Sequence, residues 1–213
     1  MLRTHIVAVA VIALLVSTVG MAGAQSAASF KLADKLISRA QATNSAIRAT
    51  NLQVKKTLEH YNYIIDGKAT DPRKEYKSLV KDLDKCLKER DNVRTKADAM
   101  QKAADKYFES WAESQAGYAS DEMRAKSEAR LAETKQNYAK IFAAGSKAAD
   151  DFDGFIAKMD DQIRFLGQDL NPSAIAEHKD EAAELNGQAD AFFKSITDTL
   201  TTATSYTDSL KPQ

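Results

Sequence analysis

The chain is poor in the residues that staple, kink or catalyse: it has one cysteine, three histidines, three prolines, eight glycines and one tryptophan. A lone cysteine, Cys86, closes no internal disulfide, so packing alone must hold the fold. Few prolines and glycines, with 28% charged residues and abundant alanine, leave helix as the preferred state throughout. Neither sign of charge dominates, since 30 basic residues face 30 acidic ones. A nucleic-acid binder would show a basic excess to neutralise phosphates, so no nucleic-acid partner is expected.

The shortage of histidine and cysteine also removes most metal and nucleophile chemistry. A di-iron bundle needs a Glu three residues before a His on each of two helices. Here Thr57 precedes His60 and Ile175 precedes His178 at that spacing. No Cys-x-x-Cys-His is present for covalent haem. Asp151-Phe152-Asp153-Gly154 opens like a calcium loop, but Ala149 stands where the pattern needs an acid and the segment continues a helical stripe. No Gly-rich phosphate loop and no nucleophile–base pair is legible. No metal, no cofactor and no catalytic residues are therefore expected, and the chain reads as a non-enzyme.

Long apolar runs are absent except at the start. Met1 to His5 is a short basic stretch, Ile6 to Val19 an apolar one, and Ala22-Gly23-Ala24 a small-x-small cleavage pattern. Residues 1–24 thus read as a signal peptide, with the mature chain beginning near Gln25 in the periplasm or outside the cell. The alternative is an uncleaved anchor, for which the run falls short of the roughly 20 residues a span needs. Removing Arg3 leaves one more acidic than basic residue.

What is present is periodicity. From Phe30 a spacing of three then four runs through Ala33, Ile37, Ala40, Asn44, Ile47, Asn51, Val54, Leu58, Tyr61 and Ile65. Asp66-Gly67 ends that helix, and Asp71-Pro72 starts the next as N-cap and first helical residue. A second stripe runs from Tyr76 through Cys86, Arg90 and Trp111 to Tyr118. Folded back across the turn, it places Asn51 near Arg90 and Phe30 near Trp111. Asn44, Asn51 and Arg90 then form an interior polar layer that sets register, or else a wet polar site. Gly117 suits a left-handed helix end and Ser120 or Asp121 an N-cap. The third stripe carries a stutter at Gly145 and Ala149 and runs on to Leu170. Asn171 and Pro172 open the fourth, which includes His178 and frays after Thr197.

Helices are thus predicted over roughly 27–66, 72–116, 121–167 and 172–208 of a single domain following the signal. Their short connections make successive helices antiparallel neighbours. The fold class is all-α: a long antiparallel four-helix up-down bundle with coiled-coil-like heptad packing. The alternative is a pair of elongated hairpins that complete a bundle as a dimer. Cys86 and His178 fall on the stripes and read as core residues rather than a reactive thiol and a pH switch.

The run Tyr107-Phe108-Glu109-Ser110-Trp111 through Tyr118, then Arg124, Ser127, Leu131, Thr134 and Tyr138, resembles a bacterial family, domain of unknown function 2959. The resemblance resumes at Met159, Asp161-Gln162, Phe165-Leu166, Leu170-Asn171 and Ala174-Ile175. It implies an all-helical protein, exported or lipid-anchored, located in the envelope, and it names no reaction. The chain departs from the family in lacking a lipoprotein cysteine and in having Pro172 after the Asn. Trp111, Tyr118, Asp161, Gln162, Phe165 and Asn171 are the candidate signature or interaction residues. The expected role is a structural or protein-interaction module of the envelope, with an unknown protein partner or self-association. The alternative is a peripheral membrane-binding or chaperone-like cradle. Basic residues are not gathered on one stripe, so membrane association is possible without being indicated.

Overall fold

The computed structural model describes residues 24–209, with side chains from 29 to 201. The signal-peptide reading of residues 1–24 lies outside them except for Ala24. Regular structure among the described residues is helical: α1 (Ala24–Ile65), α2 (Pro72–Ser114), α3 (Asp121–Leu166), α4 (Pro172–Glu177) and α5 (Lys179–Ser209). The protein is an all-α helical bundle.

The connections follow local chemistry. Gly67 has φ +71°, and the Gly67 and Lys68 amides donate back to the carbonyls of Ile64 and Tyr63 at 3.0 and 3.2 Å. That pair of bonds closes α1 with a left-handed residue that only glycine adopts freely. Asp71 accepts from the Lys74 amide at 3.1 Å and caps α2, with Pro72 first in the helix. Asn171 does the same for α4 through the Ala174 amide at 2.9 Å.

Two expectations about these ends are corrected. Gly117 is not a left-handed helix end, because among the described residues only Gly67 has positive φ. Instead α2 tightens into a 3-10 turn over Gln115–Gly117, and Ser114 Oγ donates to the Trp111 carbonyl at 2.7 Å. The last helix is not continuous from 172. His178 has φ −84° and ψ 1°, and its amide bonds to the Ile175 carbonyl three residues back, so α4 ends and α5 begins there. The apolar stripe survives the break, with Ile175, His178, Ala182 and Leu185 all buried. By contrast α3 runs through its stutter unbroken.

The chain divides into two compact units. Among the described residues, one takes those up to Ser45, Arg94–Lys147 and those from Asp198; the other takes Ala46–Val93 and Ala148–Thr197. In the first, Ala33, Leu36, Met100, Tyr107, Leu131 and Tyr138 are buried. In the second, Val54, Tyr61, Leu79, Met159, Leu166 and Phe192 are buried.

Half of the expected α1 seam holds, with Ala33, Ala40, Ile47, Val54 and Tyr61 all buried, but its other edge is displaced by one residue. Its buried positions include Leu36, Thr43, Thr50, Thr57 and Ile64, where the stripe had placed Ile37, Asn44, Asn51, Leu58 and Ile65. Leu58 and Ile65 remain buried, but Ile37, Asn44 and Asn51 are half-buried on the flank. The threonines close their hydroxyls on the carbonyls of Arg39, Ala46 and Gln53 at 2.8–3.0 Å. A threonine satisfied by its own helix needs no partner across the bundle, whereas a buried asparagine does. Phe30, expected against Trp111, is 38% exposed.

Candidate functional site

In the second unit the α3–α4 corner gathers four of the candidate residues. Asp161 is exposed, and Gln162 accepts at Oε1 from the Tyr61 hydroxyl at 3.4 Å. Asn171 caps α4 and draws its own amide onto Asp169 Oδ1 at 2.9 Å. Phe165 is 59% exposed, an unusual position for so large an apolar ring. Its ring meets the His178 imidazole edge-on, with centroids 4.6 Å apart and planes at 70°. His178 is only 5% exposed, and its buried Nδ1 has no hydrogen-bond partner. The break between α4 and α5 therefore sets a buried imidazole beneath an exposed aromatic. Gly167 completes the corner, because the Tyr76 phenol packs where a side chain would otherwise stand.

Trp111 and Tyr118 belong to the first unit. The Trp111 indole N–H donates to Ser127 Oγ at 3.0 Å, and its ring lies 5.7 Å from that of Tyr107. Phe108 continues the series by meeting both Tyr107 and Tyr138 at 5.6 Å. Tyr138 donates to Gln101 Oε1 at 2.9 Å. Such mutually tilted rings with satisfied polar tips are core packing. Tyr118 offers its carbonyl to the Arg124 guanidinium at 2.9 Å, which fastens the turn.

Arg90 pairs with Asp91 at 3.0 Å and approaches Asp153 of α3 at 3.8 Å. Asn44 and Asn51 each carry a buried Oδ1 without a hydrogen-bond partner.

Sequence reasoning missed a charged group on the α1–α2 face of the second unit. Asp82 is buried next to the stripe residue Leu83. Its Oδ1 accepts from Lys85 at 2.9 Å and Lys56 at 3.3 Å, and its Oδ2 lies 3.2 Å from His60 Nδ1. The other nitrogen of His60 lies 3.0 Å from Glu75 Oε2. Burial pushes the Asp82 carboxyl up, but the hydrogen bonds from Lys85, His60 and Lys56 outweigh it and hold the group down at about 2. The signal available was spacing: Glu75 and Asp82 are a heptad apart on α2, and Lys56 and His60 one turn apart on α1.

The remaining displaced ionisations run against reactivity. Burial pushes the Cys86 thiol up to about 11, despite the Thr57 hydroxyl 3.2 Å away. Burial likewise pushes the Tyr61 and Tyr107 phenols up to about 12, and raises Tyr138. A nucleophile or general base needs the opposite displacement, or a partner that takes its proton. Among the described residues no helix is long and apolar enough to cross a membrane, and no trio of His, Cys, Asp or Glu is placed to hold a metal ion.

The model of a protein family described as "Protein of unknown function (DUF2959)" matches residues 24–210. No curated protein and no solved structure matches the chain.

Proposed function

This chain belongs to the DUF2959 family of proteins of unknown function, and we propose that it is a non-enzymatic helical module that docks a protein partner in the cell envelope. The observation that carries the reading is Phe165, exposed at the corner and braced from below by buried His178. An aromatic ring held in place in advance loses little freedom on binding and supplies the kind of anchor that dominates protein interfaces. The upward-displaced Cys86, Tyr61 and Tyr107 support the non-enzymatic part, since none is activated. The basic and apolar start of the chain, followed by Ala22-Gly23-Ala24, supports export with cleavage near Ala24.

The test is a pull-down from envelope extract with the mature protein and with Phe165→Ala. The expected result is one stoichiometric partner on the parent protein, lost from the variant at an unchanged melting temperature. Recovery of the same partner by both proteins overturns Phe165 as the anchor. N-terminal sequencing of the exported protein tests the cleavage site.

A membrane-cradle reading has one observation in its favour. Leu52 and Tyr63, exposed at 69% and 39%, lie on one side of α1 three turns apart, beside exposed Lys55 and Lys56. Liposome co-sedimentation that modest salt abolishes would favour that reading over the protein partner.

A further inference from the structure

We propose that His60 is a protonation-dependent clasp on the α1–α2 hairpin: as the imidazolium it bridges Glu75 and Asp82, and on losing a proton it lets Glu75 go. The argument is one of hydrogen-bond inventory. His60 sits between two carboxylates, with Nε2 3.0 Å from Glu75 and Nδ1 3.2 Å from Asp82. Ionised carboxylates only accept, and a neutral imidazole has one N–H and one lone pair. Both contacts are hydrogen bonds only while both nitrogens carry protons. A neutral ring turns its lone pair on one of the two carboxylates.

Which contact is lost follows from burial. The Asp82 side chain is 6% exposed, and His60 is the partner of its Oδ2, while Lys56 and Lys85 occupy Oδ1. The Glu75 side chain is 30% exposed and has water to turn to. Leaving a buried carboxylate oxygen unpaired costs more than returning a half-exposed one to solvent. The single remaining N–H therefore stays with Asp82. The buried Cys86 thiol on α2 contacts Thr57. The charged groups in contact with His60 are Glu75 and Asp82 of α2, and Lys56 of α1 and Lys85 of α2 hold the other oxygen of Asp82.

Glu75 belongs to the first turn of α2, directly after the turn that Gly67 and Asp71 shape. The protonated clasp ties that turn to the last turns of α1. Loss of the proton unties it while the Asp82 anchor persists. The fold thus carries a local switch set by the protonation state of one histidine.

The test is nuclear magnetic resonance of the full mature chain as a function of pH. The ring nitrogens of His60 are expected to go from doubly protonated to a tautomer protonated on Nδ1. The amide resonances of Lys74, Glu75 and Tyr76 are expected to shift with the same midpoint. In Glu75→Gln and in His60→Gln the amide shifts should disappear. Two results overturn the clasp. One is a neutral tautomer protonated on Nε2, which would keep Glu75 and drop Asp82. The other is amide movement that persists unchanged in either variant. The ring-nitrogen measurement on the parent protein needs no substitution, so it stands even where a variant folds poorly.

Discussion

The phenol of Tyr76 packs against Gly167 so closely that a β-carbon built there would lie 2.6 Å from Cζ, and closer still to the hydroxyl. The backbone does not require glycine here, since Gly67 is the described residue with positive φ. Contact with α2 excludes a side chain, not conformation. Gly167→Ala should therefore destabilise the protein by about 1–3 kcal/mol, the usual cost of overpacking. Urea unfolding measures it, and combining the change with Tyr76→Ala should give less than the sum of the two losses. Additive losses would mean that the two residues do not share a site.

Asn171→Ala should lower stability by about 1 kcal/mol, because the Ala174 amide loses its side-chain acceptor at the start of α4. Asn171→Ser, which keeps an acceptor without setting a second carboxylate against Asp169, should retain part of it. Thermal unfolding of both variants checks this. Equal losses would point to the amide side of Asn171, which touches Asp169.

Asp82 predicts an acid limb of stability. Its ionisation is depressed from 3.8 to about 2 in the folded protein. A depressed carboxyl stabilises the fold above its unfolded value and loses that contribution as pH falls through the folded one. The window is therefore from about pH 4 down to about pH 2. Lys56 and Lys85 are more than half exposed, so screening reduces the contribution to about 1–2 kcal/mol. Urea titrations across that window should show the loss for the parent protein and a flatter profile for Asp82→Asn. Parallel profiles would remove Asp82 as the cause.

Thr50→Val should change stability by less than about 1 kcal/mol, since the hydroxyl serves the Ala46 carbonyl on its own helix and reaches across to no other. A loss above about 2 kcal/mol in chemical unfolding would show a second role for that hydroxyl.

These four positions also mark how far the chain can be read unaided. The caps at Asp71 and Asn171 and the glycine exit at Gly67 were legible because each is an interaction within a few residues. The Asp82 group was not, because its partners His60 and Lys56 lie more than twenty residues away and α1 must first dock on α2. Trp111 and Phe165 read alike as aromatic signature residues, yet one is packed with a satisfied N–H and the other is exposed. Phe30 carried the same heptad signal as Ile47 and lies open.

The chain itself settled the helical class, most of the helix ends and the three–four repeat, since propensity, capping and periodicity act through near neighbours. Tertiary packing decided which edge of the α1 stripe turns inward, and it chose the threonines over the asparagines. Adjacent positions such as Thr43 and Asn44 are only about 100° apart on a helix, inside one broad apolar arc. Nothing local separates them; the facing helices do. The same packing buried His178 at the broken turn and left Phe165 above it, which is where the proposed docking function rests.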